Sequence, residues 1–283
     1  MTSRVALVKI HKDAKQAFKQ ALSLIGNIDD LNTKERTIVI KVGVFDPKAG
    51  HHTTIDVTNA IIDSFDKAKT IYLTESDNYR GTGTERLQIW KSLFSKRVIP
   101  FNLSEDTNTK QVNVADEKIG LSHILFKPNI LISTHILRTF DKGSVIKNLF
   151  GLTPDKKKAK YHKNLENVIL DIYEAVGGID LAVLDGTHAN LNVMPSSKQI
   201  ESNVLIVGRD AVAVEAVGFA ILGIDPLKIP LIQKAMKRGL GEGDMTKIEV
   251  LGCSFESVKE RITSPLKDAK KKAKKTAPTK KSA

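Results

Sequence analysis

Short β-branched runs alternate with segments of helical period along most of this chain, and that order is the signature of βαβ units. "TIVIKVGVF", Thr37 to Phe45, constrains the fold most. A continuous β-branched run implies burial on both faces, as in a parallel sheet covered by helices. Ahead of it, "RVALVKI" reads as a first strand, and 13–24 as a helix with Ala14, Phe18, Ala21, Leu22 and Ile25 on one face. "TIYL" and "NILIST" are further strands, with a helix around Arg86 to Phe94 between them. In the second half a helix over 165–176 ends at Gly177-Gly178, and "IDLAVLDG" is a strand that stops at Asp185-Gly186. "NVLIVG" is another strand, after which Asp210 caps "AVAVEAVGFAIL", whose small residues let a helix lie close on a sheet. A turn and helix over 224–241, a last strand "IEVLG" and a helix over 255–262 complete the order. The expected fold is therefore α/β, a mostly parallel sheet covered by helices over residues 1–264, followed by a disordered basic tail over 265–283.

A chain of 283 residues with 41% apolar content can build the core such a sheet needs. Its net charge of +12 suggests nucleic acid until its position is considered, because eight Lys against one Asp in "KDAKKKAKKTAPTKKSA" put +7 of it on the last 17 residues. That segment is low in complexity, and its functional reading is a polyanion tether with nonspecific, salt-dependent affinity for nucleic acid. Aromatic content is only 5%, and the body shows no nucleic-acid-binding signature. Cys253 is the only cysteine, so the chain alone supplies neither an intrachain disulfide nor an iron–sulfur cluster. No signal-peptide segment opens the sequence and no run of about 18 apolar residues suits a membrane span, which places the protein in the cytoplasm as an expectation.

Ligands of open α/β sheets sit beyond the carboxyl ends of strands, and the polar residues of this chain cluster at such places. "FDPKAGHHTT" delivers His51, His52, Thr53 and Thr54 to a helix start, where they either cap the helix or help receive an anion. "TESDNYRGTGT" places Glu75 and Asp77 after a strand, and "ISTHILRT" places His135 and Arg138 there, the latter suited to gripping a carboxylate or phosphate. "LDGTHAN" clusters Asp185, His188 and Asn190. Asp77, Asp185 and His188 are acid, base or ligand candidates, and His51, His52 and Glu75 the candidate ligands of a divalent metal, a cofactor the composition permits without naming. In "SVIKNLFGLTPDKKKAKYHK" a short helix after Gly143 is expected to begin against a bound anion, with Lys147 in direct contact and Asn148 beside it. The lysines from 156 to 163 then form a mobile rim that steers anions inward.

With these residues in hand, the chain resembles the domain of unknown function 362 family, an α/β family of archaea and bacteria sometimes fused to ferredoxin-like iron–sulfur modules. The resemblance spans roughly Thr37 to Leu251 and rests on "KNLFG" at 147–151, His162, "VLDG" at 183–186, the Asp-x-Val-Ala-Val-Glu-Ala stretch at 210–216 and "GIDP" at 223–226. It implies an archaeal member of that family carrying a lysine-rich tail. Two departures stand out: Arg138 and Phe140 occupy positions where the family usually has Lys and His, and "THANLNVMPSS" lacks the usual acidic and Gly-Pro positions. If those positions carry chemistry in relatives, His135 and His188 are the residues here that would take it over.

Two functional readings follow. The first is an anion-binding cleft for a small carboxylated or phosphorylated ligand, in an enzyme or cofactor-handling protein that uses Thr53, Thr54, Arg138, Lys147 and Asn148. The second is a nonenzymatic nucleic-acid-associated protein acting through its tail and lysine loop, or an accessory to an iron–sulfur redox partner. Neither reading fixes an oligomeric state.

Overall fold

The structure is a computed structural model that describes residues 2–45, 47–193 and 196–264, so the lysine-rich tail and its expected disorder lie outside the described residues. Its order begins β1 (Ser3–Lys9), α1 (Ala14–Leu24), β2 (Ile38–Lys41), α2 (Ile55–Ser64), β3 (Ile71–Glu75), α3 (Gly83–Leu87), β4 (Val98–Asn102). It continues with β5 (Thr109–Val114), β6 (Glu117–Ser122), β7 (Ile130–Arg138), α4 (Leu165–Ala175), β8 (Leu181–Val193), β9 (Ser196–Gly208), α5 (Ala211–Ile221), α6 (Pro230–Lys237) and β10 (Ile248–Gly252). A last helix, α7, spans 255–264.

Eight strands form one sheet in the order β10-β1-β9-β8-β7-β2-β3-β4. It is mixed but mostly parallel: β9 runs antiparallel to both β8 and β1, and the other neighbours are parallel. The two-faced burial read from "TIVIKVGVF" is what β2 shows. Ile38 and Ile40 join a core with Phe18 of α1, Ile61 of α2 and Trp90, while Val39 joins the opposite core with α4, α5 and α6. Strand side chains alternate in direction, so helices must cover both faces. Among the described residues no helix is long and apolar enough to cross a membrane.

Three local expectations change. The helix around Arg86 to Phe94 is α3 followed by a 3₁₀ turn over Gln88–Leu93, irregular at Trp90. The segment after Gly186 is no loop, since β8 continues to Val193 and pairs with β9 along a long hairpin. A small antiparallel hairpin, β5–β6, was not expected at all; its turn places Ala115 and Asp116 at positive φ.

Topology fixes where a ligand can enter. The strand after β2 is β3, on one side, whereas the next main-sheet strand after β7 is β8, on the other, so the chain leaves the adjacent strands β2 and β7 in opposite directions. Such a switch point opens a crevice at the carboxyl ends of the two strands.

Candidate functional site

A cavity of about 680 Å³ fills this crevice, lined by Lys41, Val44 and Phe45 after β2, Glu75 and Ser76 at β3, and His135, Ile136 and Arg138 on β7. Two 3₁₀ segments, Lys147–Leu152 and Lys158–Asn164, close its other side with Lys147, Asn148, Phe150, Lys158 and His162.

One wall is a closed network of buried charges. Lys41 Nζ lies 2.9 Å from Glu75 Oε1, and Arg86 reaches Glu75 Oε2 at 3.1 Å, with all three side chains almost fully buried. Burial holds the Lys41 ammonium below its usual range, and the Glu75 charge opposes that shift. Lys41 also donates to Asn148 Oδ1 at 3.0 Å and to the Val42 carbonyl, while Arg86 donates to the Ser76 and Val44 carbonyls. Asn148 completes the network by donating to the Lys41 carbonyl at 2.9 Å, Ser133 Oγ and the Thr134 carbonyl. Gly151 is required beside it, because a Cβ there would stand 2.7 Å from Lys41 Cε.

The opposite wall is less satisfied. His135 Nδ1 accepts the Ile136 amide at 2.8 Å, which puts the proton of the neutral ring on Nε2. Burial, helped by the positive charges of Arg138 and Lys147, holds His135 well below the usual imidazole range, so it stays neutral. Arg138 donates to the Gly143 carbonyl and Ser144 Oγ, and burial pulls it down to about 10. Lys147 Nζ sits 5.4 Å from the Phe140 ring centroid and 6.0 Å from that of Phe150, and burial lowers it to about 7. Asn190 is buried on β8, and its Oδ1 has no partner.

The helix start expected to hold an anion after Gly143 is already occupied by the protein itself. Glu215 of α5 accepts the Ser144 and Ile146 amides at 2.7 and 2.9 Å, and burial raises its carboxyl to about 7. The segment is a 3₁₀ turn whose amides bind this internal carboxylate, so Lys147 faces the cavity from a pre-anchored loop. The lysine rim is also more ordered than expected. Lys158 donates to Ser76 Oγ at 3.2 Å, to the Asp77 carbonyl at 2.7 Å and to the Asp155 carbonyl, Lys160 pairs with Glu117, and Tyr161 packs edge-on against Phe150.

Of the residues singled out from sequence, Lys147, Asn148, Arg138, Glu75 and His51 line the cavity. Thr53, Thr54, His52, Asp77, Asp185 and His188 are not among its lining residues. Thr54 caps α2 and donates through both its amide and its hydroxyl to Asp185 Oδ2 at 2.7 Å, while Thr187 saturates Oδ1. Thr53 is fully buried, with its hydroxyl unpartnered. Asp77 accepts from the Gly83 amide and Asn102, which fixes the start of α3, and His188 is exposed on the β8–β9 hairpin. The expected metal set does not assemble, because Glu75 is turned onto Lys41 and Arg86 and His52 lies edge-on to Trp90. Among the described residues no group of three or more His, Cys, Asp or Glu is placed to hold a metal ion.

Lys41, Arg86 and Glu215 were not foreseen. Lys41 and Glu215 each carried a usable signal, as the lone charges inside "TIVIKVGVF" and "AVAVEAVGFAIL", where an isolated charge must find a buried partner.

No curated protein matches the chain. The family model described as "Domain of unknown function (DUF362)" matches residues 38–220, a span that contains β2, β3, β7, the 147–152 turn and all but the last residue of α5, and with them every wall of the cavity described above. The chain belongs to the DUF362 family.

Proposed function

We propose that the chain binds a small carboxylated or phosphorylated ligand in this cavity and acts on it as an enzyme or cofactor-handling protein. The charge imbalance of the wall carries the reading. Glu75, the one carboxylate among the described lining residues, is held by Lys41 and Arg86, whereas Arg138, Lys147 and Lys156 face the same space without an ion pair. Cations gathered in a partly desolvated crevice attract an anion more strongly than they would in water, and Arg138 suits planar carboxylate or phosphate oxygens.

Calorimetric titration with oxalate and inorganic phosphate tests this. Both should bind, and Lys147→Met should weaken binding by about tenfold or more, equivalent to about 1.4 kcal/mol, with the unfolding midpoint unchanged. Lys237→Met, on the exposed end of α6, should leave binding as it was. Oxalate affinity should also fall as pH rises through about 7, because the Lys147 ammonium is lost there. Unaltered binding by Lys147→Met refutes the assignment.

A further inference from the structure

Lys147 is unlike the other amines of the cavity. Lys41, Lys142 and Lys158 each donate to a carboxylate or carbonyl oxygen and Lys156 is exposed, whereas Lys147 Nζ lies beside two aromatic rings and makes no hydrogen bond or ion pair among the described residues. A cation left without a carboxylate in a buried crevice is driven toward its neutral form, which is the nucleophilic one. Its backbone is held by the Glu215 anchor on the Ser144 and Ile146 amides and by the Asn148 network, so the amine is presented from a fixed turn. The same cavity offers the Nε2 proton of neutral His135 and the unpartnered Oδ1 of Asn190.

We propose that Lys147 is a carbonyl-condensing amine that forms an imine with an aldehyde or ketone carrying a carboxylate or phosphate. The inference rests on the anion-binding reading, which it narrows to carbonyl compounds. The neutral Nζ attacks the carbonyl carbon, a C–N bond forms, and the π pair moves to oxygen, which takes one proton from the attacking nitrogen to give a neutral carbinolamine. Loss of the amine proton and cleavage of the C–O bond then release one water and leave C=N, with no change in oxidation state. His135 Nε2–H is the donor available to the oxygen as charge develops on it, and Arg138 is the cation available to the ligand's anionic group.

The test treats the full chain with glyoxylate and cyanoborohydride, which reduces an imine to a stable secondary amine, and then maps the adduct by peptide mass. With Lys147 lowered to about 7, its free-amine fraction at pH 7 exceeds that of a model lysine at about 10.4 by about a thousandfold. Labelling of Lys147 should therefore outrun that of any exposed lysine by about a hundredfold after allowance for its lower basicity, and its rate should rise through about pH 7. Lys147→Arg should abolish the adduct. Labelling spread evenly over exposed lysines, or undiminished in Lys147→Arg, overturns the proposal. Oxalate binding without a Lys147 adduct overturns the imine and leaves the anion site standing. Propionaldehyde reacting at Lys147 as fast as glyoxylate removes the anionic requirement and keeps the imine.

Discussion

The two walls of the cavity differ in how their polar groups are satisfied. On the β2–β3 side, Lys41, Glu75, Arg86 and Asn148 consume most of one another's donors and acceptors, with Arg86 Nε left over. On the β7–β8 side, among the described residues Lys147 has no polar partner and Asn190 Oδ1 has none. Burial is common to both; what differs is how the charged groups are paired. A paired charge in the interior must stay paired, because either partner left alone keeps its full desolvation cost. An unpaired polar group facing a cavity can be matched by a ligand, and it pays for its burial only when that ligand arrives.

The largest test of this distinction is Glu75→Ala. It leaves Lys41 and Arg86 as two like charges without their shared carboxylate, and is expected to destabilise the fold by about 3–5 kcal/mol, read as a lower urea midpoint. A loss below about 1 kcal/mol would show that this wall is not closed and that water or a ligand shares in it. Gly151→Ala sharpens the same point on a smaller scale. The new Cβ would meet Lys41 Cε at 2.7 Å and Nζ at 2.9 Å. The end of a lysine usually yields cheaply, but this one is pinned by Glu75, Asn148 and the Val42 carbonyl. Overpacking is therefore expected to cost about 1–3 kcal/mol, and a neutral substitution would mean that Lys41 moves freely.

The same contrast explains what could be read in the sequence. The βαβ order, the two-faced burial of β2, the Thr54 and Asp210 caps and the Gly177-Gly178 stop are local or periodic features, and they reappear in the structure. Lys147, Asn148 and Arg138 were legible because cationic and amide residues stand at a strand end and in the segment that follows it. Pairing was not legible. Asp185 at the end of "VLDG" looks the same in sequence whether it faces a ligand or, as here, takes up the Thr54 amide and hydroxyl from 131 residues away. Glu215 stands out in sequence as the lone charge of "AVAVEAVGFAIL", but its partners, the Ser144 and Ile146 amides, are visible only in the folded chain. The β8–β9 hairpin was missed because Gly186 and the Asn-rich stretch after it carry turn composition, and only cross-strand pairing with β9 extends the strand.

The smallest expected change is also the most discriminating, because its sign is opposite to that of the others. Asn190→Leu replaces a buried amide whose Oδ1 has no partner among the described residues with an apolar group of similar branched shape that can extend into the cavity. Removing a polar group that was never paired is nearly neutral or slightly stabilising, so unfolding free energy should move by less than about 1 kcal/mol and not downward. Binding of glycolate, whose hydroxyl can donate to Oδ1, should weaken even so when measured by calorimetry on the same variant. If stability instead falls by about 1–3 kcal/mol, Asn190 belongs to a satisfied network after all, and the β7–β8 wall is built like the wall across from it.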